Sequence, residues 1–509
     1  MATRCVINVD LADVWAKPGR KGLRRTLAWG DEVTVTRQSA RRIRIETVVY
    51  RGQRDGSVLS TKAVGYIEPS AASGIAARDS IRPLAENQVL KVNFVDVQQG
   101  DGAVIESPDG KLILVDGGDN ALFARYLAGR FPGTSAAQPR DIDCILVTHG
   151  DADHFAGLAE ILESETNPSR RKRLFIRPRR VYHNGIVKRP STRGGRAVAE
   201  RRLLGPTRKT AGGLFLTGLR ENLLEVPDAD MNLPFRKWKS ALQTWAGRAP
   251  IEFRRLEFGD DQAFAWFNQG DLRIEILGPV TARVAGKPAL RFLGQPPRGP
   301  RTGHESLSSD ASGFSGLSAS HTINGHSVVF RLRYGGFSYL FSGDLNDEAG
   351  RFLANEHNRG ALNLRSEVFK VPHHGSADFS GAFLQAVSPV VSVVSSGDES
   401  ARKEFIHPRA TLMGALGRWS RVPEPLVFVT ELVAFFQVEG WSRLSDAKRA
   451  AKRGEFFGFS RAAYGLIKTR TDGKRLLVYT DSANLAMKEA YAYALDAGGV
   501  PQPAEVLRA

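Results

Sequence analysis

Four metal-ligand side chains fall within six residues at His149-Gly-Asp151-Ala-Asp153-His154. The apolar run Ile142-Asp-Cys-Ile-Leu-Val147 precedes them, and Gly157-Leu-Ala-Glu-Ile-Leu162 follows with helical character. Along one regular element the four could not all face one way. At a turn from strand to helix they converge on a small volume, and imidazole with carboxylate suits Zn²⁺, Mn²⁺ or Fe. A blander alternative is an N-capping aspartate beside two surface histidines. Recurrence of the pattern weighs against it. Strand Phe337–Ser342 ends in Gly343-Asp344, and Val368-Phe-Lys-Val371 ends in Pro372-His373-His374-Gly375. Three separate strands thus deliver His or Asp at their C-terminal ends, where α/β sheets gather their chemistry.

The chain has 509 residues, more than one simple core accommodates, so several domains are expected. Residues 1–72 carry short alternating runs, Glu32-Val-Thr-Val-Thr36 and Ile43-Arg-Ile-Glu-Thr-Val-Val49, and read as a small all-β unit resembling a bacterial SH3-like barrel. Residues 73–88 read as a linker, and 89–424 as the α/β domain with the metal motifs. Within it, 163–270 departs from the β/α rhythm as an Arg-rich insertion, and 295–320, rich in Gly, Ser and Pro, reads as a lid. Residues 425–509 read as an α/β extension ending in a helix.

The segment from about 90 to 420 resembles a metallo-β-lactamase-fold hydrolase of the ComEC/Rec2 type, the family of the nuclease domain in DNA-uptake proteins. Asp96-Val-Gln-Gln-Gly-Asp101 is similar to that family's Asp-Val-Gly-Gln-Gly-Asp opening, with Gln98 replacing a glycine. Leu114-Val-Asp116-Gly-Gly, Thr148–His154, Ser342-Gly-Asp344, Lys370-Val-Pro-His-His-Gly-Ser376 and His407-Pro408 match the family's later motifs. The resemblance implies an α/β fold, the metallo-β-lactamase αββα sandwich, preceded here by the small all-β barrel. It further implies two divalent ions, Zn²⁺ or Mn²⁺, sharing Asp344. His149 and Asp151 would hold one; Asp153, His154 and a histidine of the 373–374 pair would hold the other. His374 is the preferred ligand of that pair, with His373 as a phosphate contact. Asp116 and Asp101 would orient ligands from behind. Asp153 would aim a metal-activated water, and His407 would meet the departing oxygen. Many fold members supply another histidine before the bridging aspartate; His321 or His326 is the candidate here, or neither.

The formal net charge is +17 and the pI near 10.0, a balance that draws polyanions, nucleic acid above all. Fifteen Arg and Lys side chains between Arg170 and Lys209 face one acid, Glu200, and Phe175, Tyr182, Trp238 and Trp245 are available as stacking platforms. The competing reading is a solvated insertion packed through its aromatics. With two cysteines, Cys5 and Cys144, no apolar span of membrane length and no leader-like N-terminus, the expectation is a cytoplasmic protein without a disulfide framework or a membrane partner. The function expected is phosphodiester hydrolysis, with DNA or RNA as substrate. The alternatives are a small-molecule phosphodiesterase, for a cyclic nucleotide or a phosphorylcholine-like compound, and a non-catalytic sensor. In each case residues 1–72 would dock a protein or peptide.

Overall fold

The computed structural model describes residues 2–52, 58–295, 316–397, 407–433, 435–438, 459–463, 465–481 and 488–509. The chain divides into two compact units, Phe94–Val429 and a second made of Met1–Asn93 with Thr430–Ala509. Most of the expected lid, 296–315, lies outside the described residues.

Phe94–Val429 is built on two sheets. In the first, Gly102–Glu106 pairs antiparallel with Leu112–Asp116, which continues in parallel through Cys144–Leu146, Arg180–His183 and Glu252–Arg255. In the second, Arg273–Gly278, Val329–Tyr334 and Phe337–Phe341 run antiparallel, followed in parallel by Val368–Lys370, Val391–Val394 and Leu426–Val429. Parallel strands are covered on both faces, so Leu112-Ile-Leu-Val and Val391-Ser-Val-Val are buried along their whole length instead of alternating.

Helices cover the outer face of each sheet. Leu353, Phe383 and Leu412, from helices Asp347–Asn358, Gly381–Val387 and Ala410–Arg418, share one core with Leu277, Leu340 and Phe369 of the second sheet. On the first sheet's side, helix Ala152–Ser164 packs against helix Leu233–Arg248, with the Phe155 and Phe235 rings 4.6 Å apart. Between the sheets Phe94 stacks on Phe341 at 5.7 Å, and the Val328 amide donates to the Thr148 carbonyl at 2.8 Å. The architecture is the αββα sandwich of the metallo-β-lactamase fold.

The stretch 163–270 is less an insertion than the sequence suggests. Arg180–His183 and Glu252–Arg255 are strands of the first sheet, and Leu233–Arg248 is one of its covering helices. Tyr182, Trp238 and Trp245 are therefore core residues at 0%, 1% and 1% exposure, and they offer no stacking platform. Their spacing along helix and strand buries them; among the four aromatics only Phe175 keeps partial exposure.

In the other unit, residues 2–67 form antiparallel strands in the order Lys21–Ala28, Leu11–Lys17, Val58–Ile67, Ile43–Gly52, Glu32–Gln38 and Thr3–Ile7. Alternation buries Val33, Val35, Ile43 and Ile45 on one face. The sequence reading needs two corrections here. The supposed linker carries strand Ile81–Pro83, which pairs with Thr3–Ile7 at Val6↔Arg82. The expected final helix is a pair of strands, Ala490–Leu495 and Pro501–Ala504, whose Ala and Tyr residues alternate across a sheet. Among the described residues no helix is long and apolar enough to cross a membrane.

Candidate metal centre

Five segment ends of the sandwich meet at one edge: Asp116 closing its strand, the loop 147–151, Asp344 after Phe337–Phe341, His373-His374 after Val368–Lys370, and the loop 96–101. Helix Ala152–Ser164 begins within this cluster and presents Asp153 and His154 in its first turn. Asp116, His373 and His374 take positive φ of 56°, 49° and 50°, a region that costs non-glycine residues energy. Such strain is held only where the surroundings fix it, and it concentrates at functional sites. Gly100, at φ +102°, lets the 96–101 loop pass the helix start; a Cβ there would lie 1.8 Å from the Asp153 carbonyl oxygen. Any side chain at 100 would push the loop off the site.

Asp153, His154, Asp344 and His374 bring one ligand atom each within 4.8 Å of one another. His154 Nε2 lies 3.1 Å from Asp344 Oδ1, and His374 Nε2 lies 3.3 Å from Asp344 Oδ2 and 3.5 Å from Asp153 Oδ2. His149 Nε2 and His373 Nε2 are each 3.9 Å from Asp344 Oδ2. Asp344 is thus the point around which four imidazoles are arranged.

The tautomers of three of these histidines follow from what their other nitrogen meets. His154 Nδ1 donates to Asp116 Oδ2 at 2.9 Å, and Asp116 is itself fixed by the Thr148 amide and hydroxyl. His374 Nδ1 lies 3.0 Å from the Ser395 carbonyl, which can only accept. The Ser327 hydroxyl donates to the Asn324 carbonyl, so it accepts from His149 Nδ1 at 3.3 Å. In all three rings Nδ1 is held as a donor, so Nε2 is the nitrogen that can present a lone pair to a metal. Those three Nε2 atoms, together with Asp344 Oδ1, are buried without a hydrogen-bond partner. Buried polar atoms are rarely left so, and four that converge are the signature of a bound cation. The donor set, imidazole nitrogen with carboxylate oxygen, fits a divalent transition metal.

Electrostatics agree. Burial works against charge on His154 and His374, yet Asp344 with Asp116, and Asp344 with Asp101, hold these imidazoles well above their ordinary pKa. Burial, reinforced by His154, holds His149 well below its own. A divalent ion would take over the neutralisation of these carboxylates and would leave the Nε2 atoms unprotonated.

Other residues take their places around this core. Asp101 lies 3.2 Å from His374 Nδ1 and is ion-paired with the buried Lys370. Asp151 is not brought into the four-group cluster. Lys188 Nζ lies 2.5 Å from its Oδ1, and the Asn324 amide, turned to satisfy both its ends, donates to its Oδ2 at 3.1 Å. His407 stands at the rim with its ring 6.1 Å from that of His373 and tilted by 51° to it. Burial, His373 and His374 pull its pKa down to about 4, which keeps it neutral. Neither His321 nor His326 is brought into the four-group cluster. His321 Nδ1 pairs with Asp378 at 3.3 Å, and His326 Nε2 donates to the Arg291 carbonyl at 2.7 Å. Ser327 and Asn324, from the same stretch, reach the site instead.

Sequence reasoning missed Lys370, Gln99, Lys188 and Ser395 as supports of the centre. Gln99 Nε2 donates to Asp153 Oδ2 at 3.3 Å. Lys370 and Gln99 stand inside recognised motifs, so a buried cation or amide there could have been questioned. Lys188 and Ser395 carry no local signal.

Comparison with known proteins agrees with the geometry. Residues 95–197 match the metallo-beta-lactamase superfamily. Competence protein ComA of Neisseria gonorrhoeae is 42% identical over 86 residues, 17% of this chain and 12% of that protein. ComE operon protein 3 of Bacillus subtilis (strain 168) is 31% identical over 98 residues, 19% of this chain and 12% of that protein. The matched segments thus cover about an eighth of each relative's length.

Proposed function

Starting from a metallo-β-lactamase domain with a preorganised His/Asp centre, we propose that this protein is a metal-dependent phosphodiesterase that acts on nucleic acid. One observation carries the reading: Nε2 of His154 and of His374 and Oδ1 of Asp344 are buried without a hydrogen-bond partner in a group that, with Asp153, brings its ligand atoms within 4.8 Å of one another, and the equally unpartnered His149 Nε2 lies 3.9 Å from Asp344. Asp153, His154, Asp344 and His374 would hold one divalent ion. His149 and Asp344 would begin a second site, which Asp151 completes on leaving Lys188. Ions held there supply Lewis-acid activation of water and of the phosphoryl group.

The chain's own residues do the rest. Asp116, Ser327 and the Ser395 carbonyl hold the ring nitrogens in the ligating tautomer. Gln99 steadies Asp153, whose carboxylate, kept ionised by His374 and His154 against its burial, would accept a hydrogen bond from the attacking water and so aim it. His373 and the neutral His407 stand at the rim, where substrate phosphate and leaving oxygen would lie. Support for a polynucleotide comes from the charge of +17, from the exposed arginines between 170 and 209, and from the similarity to a competence protein, ComA, and to ComE operon protein 3.

The test is degradation of single-stranded DNA and of RNA with Mn²⁺, in wild type and Asp344→Ala. Cleavage lost in the variant is expected. Turnover of bis-p-nitrophenyl phosphate with polynucleotides untouched would replace this reading with a small-molecule phosphodiesterase. Stoichiometric metal without turnover of either would make the protein a metal-containing binding module.

A further inference from the structure

The lining of an open depression of about 660 Å³ includes Arg189, Arg201, Arg202, Lys209, Thr207 and Leu317. Leu317 and Leu214 of its lining pack on an apolar core. Leu203, Leu204, Leu216, Leu290 and Phe292 form this small core with Ile186 and Ile323. The Arg189 amide donates to the Leu203 carbonyl at 2.7 Å, which ties the two basic walls together.

Among the described residues, three of the four cations of this lining lack a carboxylate partner. Arg189 pairs with Asp230 at 3.0 Å, but among the described residues Arg201, Arg202 and Lys209 have no carboxylate partner. The acid next to them in sequence, Glu200, is committed elsewhere: its carboxylate accepts from the Ala319 amide at 2.7 Å. Three cations without a carboxylate partner around one concave space suit an anion with several oxygens. The wall also leads to the centre. Lys188, next to Arg189, reaches Asp151, and helix Ala319–Gly325 supplies Ile323 to the pocket's core and Asn324 to Asp151.

Resting on the reading of the centre as a polynucleotide phosphodiesterase, we propose that Arg201, Arg202 and Lys209 bind a backbone phosphate of the substrate strand, one other than the phosphate being cleaved. The site would fix the strand's path and add affinity without entering the chemistry.

Binding to the full chain in EDTA, so that nothing is cleaved, tests this independently of activity. The probe is a fluorescent oligothymidylate of about 30 nucleotides. Replacing Arg201, Arg202 and Lys209 by Gln together is expected to weaken binding about tenfold or more and to lower the slope of log K against log salt by about 2. Turnover of bis-p-nitrophenyl phosphate with Mn²⁺ should be unchanged in the same variant. Arg208→Gln, an exposed position on the same hairpin outside the lining, should have the smaller effect. If the triple variant does not fold, Lys209→Gln and Arg201→Gln singly should each lower the slope by about 0.7. A slope and affinity equal to wild type would overturn the proposal, as would a wild type that does not bind the oligonucleotide. Binding that depends on these residues in a protein that hydrolyses no phosphodiester would leave the pocket standing and overturn the reading of the centre.

Discussion

The metal centre and the Arg-rich stretch 170–209 are both charged, and they are organised in opposite ways. At the centre the charged groups are buried, Nδ1 of His149, His154 and His374 each has an assigned neighbour, and their unpartnered Nε2 atoms all lie within 3.9 Å of Asp344. Along 170–209 most of the cations are exposed, and of the four aromatics grouped with them Tyr182, Trp238 and Trp245 are buried in the core. The first arrangement is preorganised for one small cation. The second is a field for a long anion. The difference shows that proximity in sequence reads out a site only when the groups must share a volume.

The contrast is broken most severely at Asp344. Asp344→Ala removes the carboxylate shared by His154, His374 and His149, and activity on any phosphodiester is expected to fall by about a thousandfold or more. Retained activity would show that chemistry happens elsewhere. On the other side, Trp238→Ala is expected to cost about 3–5 kcal/mol of stability, because the ring is a fully buried core element. Denaturant unfolding checks it; a stable variant with weakened binding to single strands would restore the stacking role that burial denies.

Two smaller effects sharpen the comparison. Asp116→Asn should reduce metal affinity about 10–100-fold by loosening the His154 tautomer, read by competition with a chelator. An unchanged affinity would mean that Asp116 serves the fold alone. Lys188→Met should tighten the weaker of two metal sites about tenfold, since Asp151 is then freed from its ammonium partner. Weaker metal binding would instead give Lys188 a supporting role.

Acid stability provides a test away from the centre. Burial pulls His183 and His326 down to about 4. Their unfolded pKa is about 6.5, so below that pH the unfolded chain binds protons that the folded chain refuses. Stability should fall as pH drops from about 6.5 towards 4, each histidine contributing on the order of 1–3 kcal/mol. Unfolding midpoints of wild type and His326→Asn across this range check the claim, and parallel curves would contradict it.

Much of the fold was legible, and the reasons are physical. The cluster 149–154, Asp344 and His373-His374 sit at ends of apolar runs, and a run buried on both faces announces its strand and its end. Helix Leu233–Arg248 was hidden because its tryptophans, beside many arginines, looked like surface chemistry. The Ala490–Leu495 strand was hidden because Ala and Tyr suit either state until the neighbouring strands decide. At the site, Asp151 and His326 illustrate the limit: both are ligand types in the right place, and each is claimed by a partner, Lys188 or the Arg291 carbonyl, that only the folded chain brings near.

Crystals grown with Mn²⁺ and measured near its absorption edge address the central claim directly. Anomalous density within bonding distance of Asp344, His154, His374 and Asp153 is the predicted result, with a second peak towards His149. A map with no peak at Asp344, from a protein saturated with the ion, would contradict it.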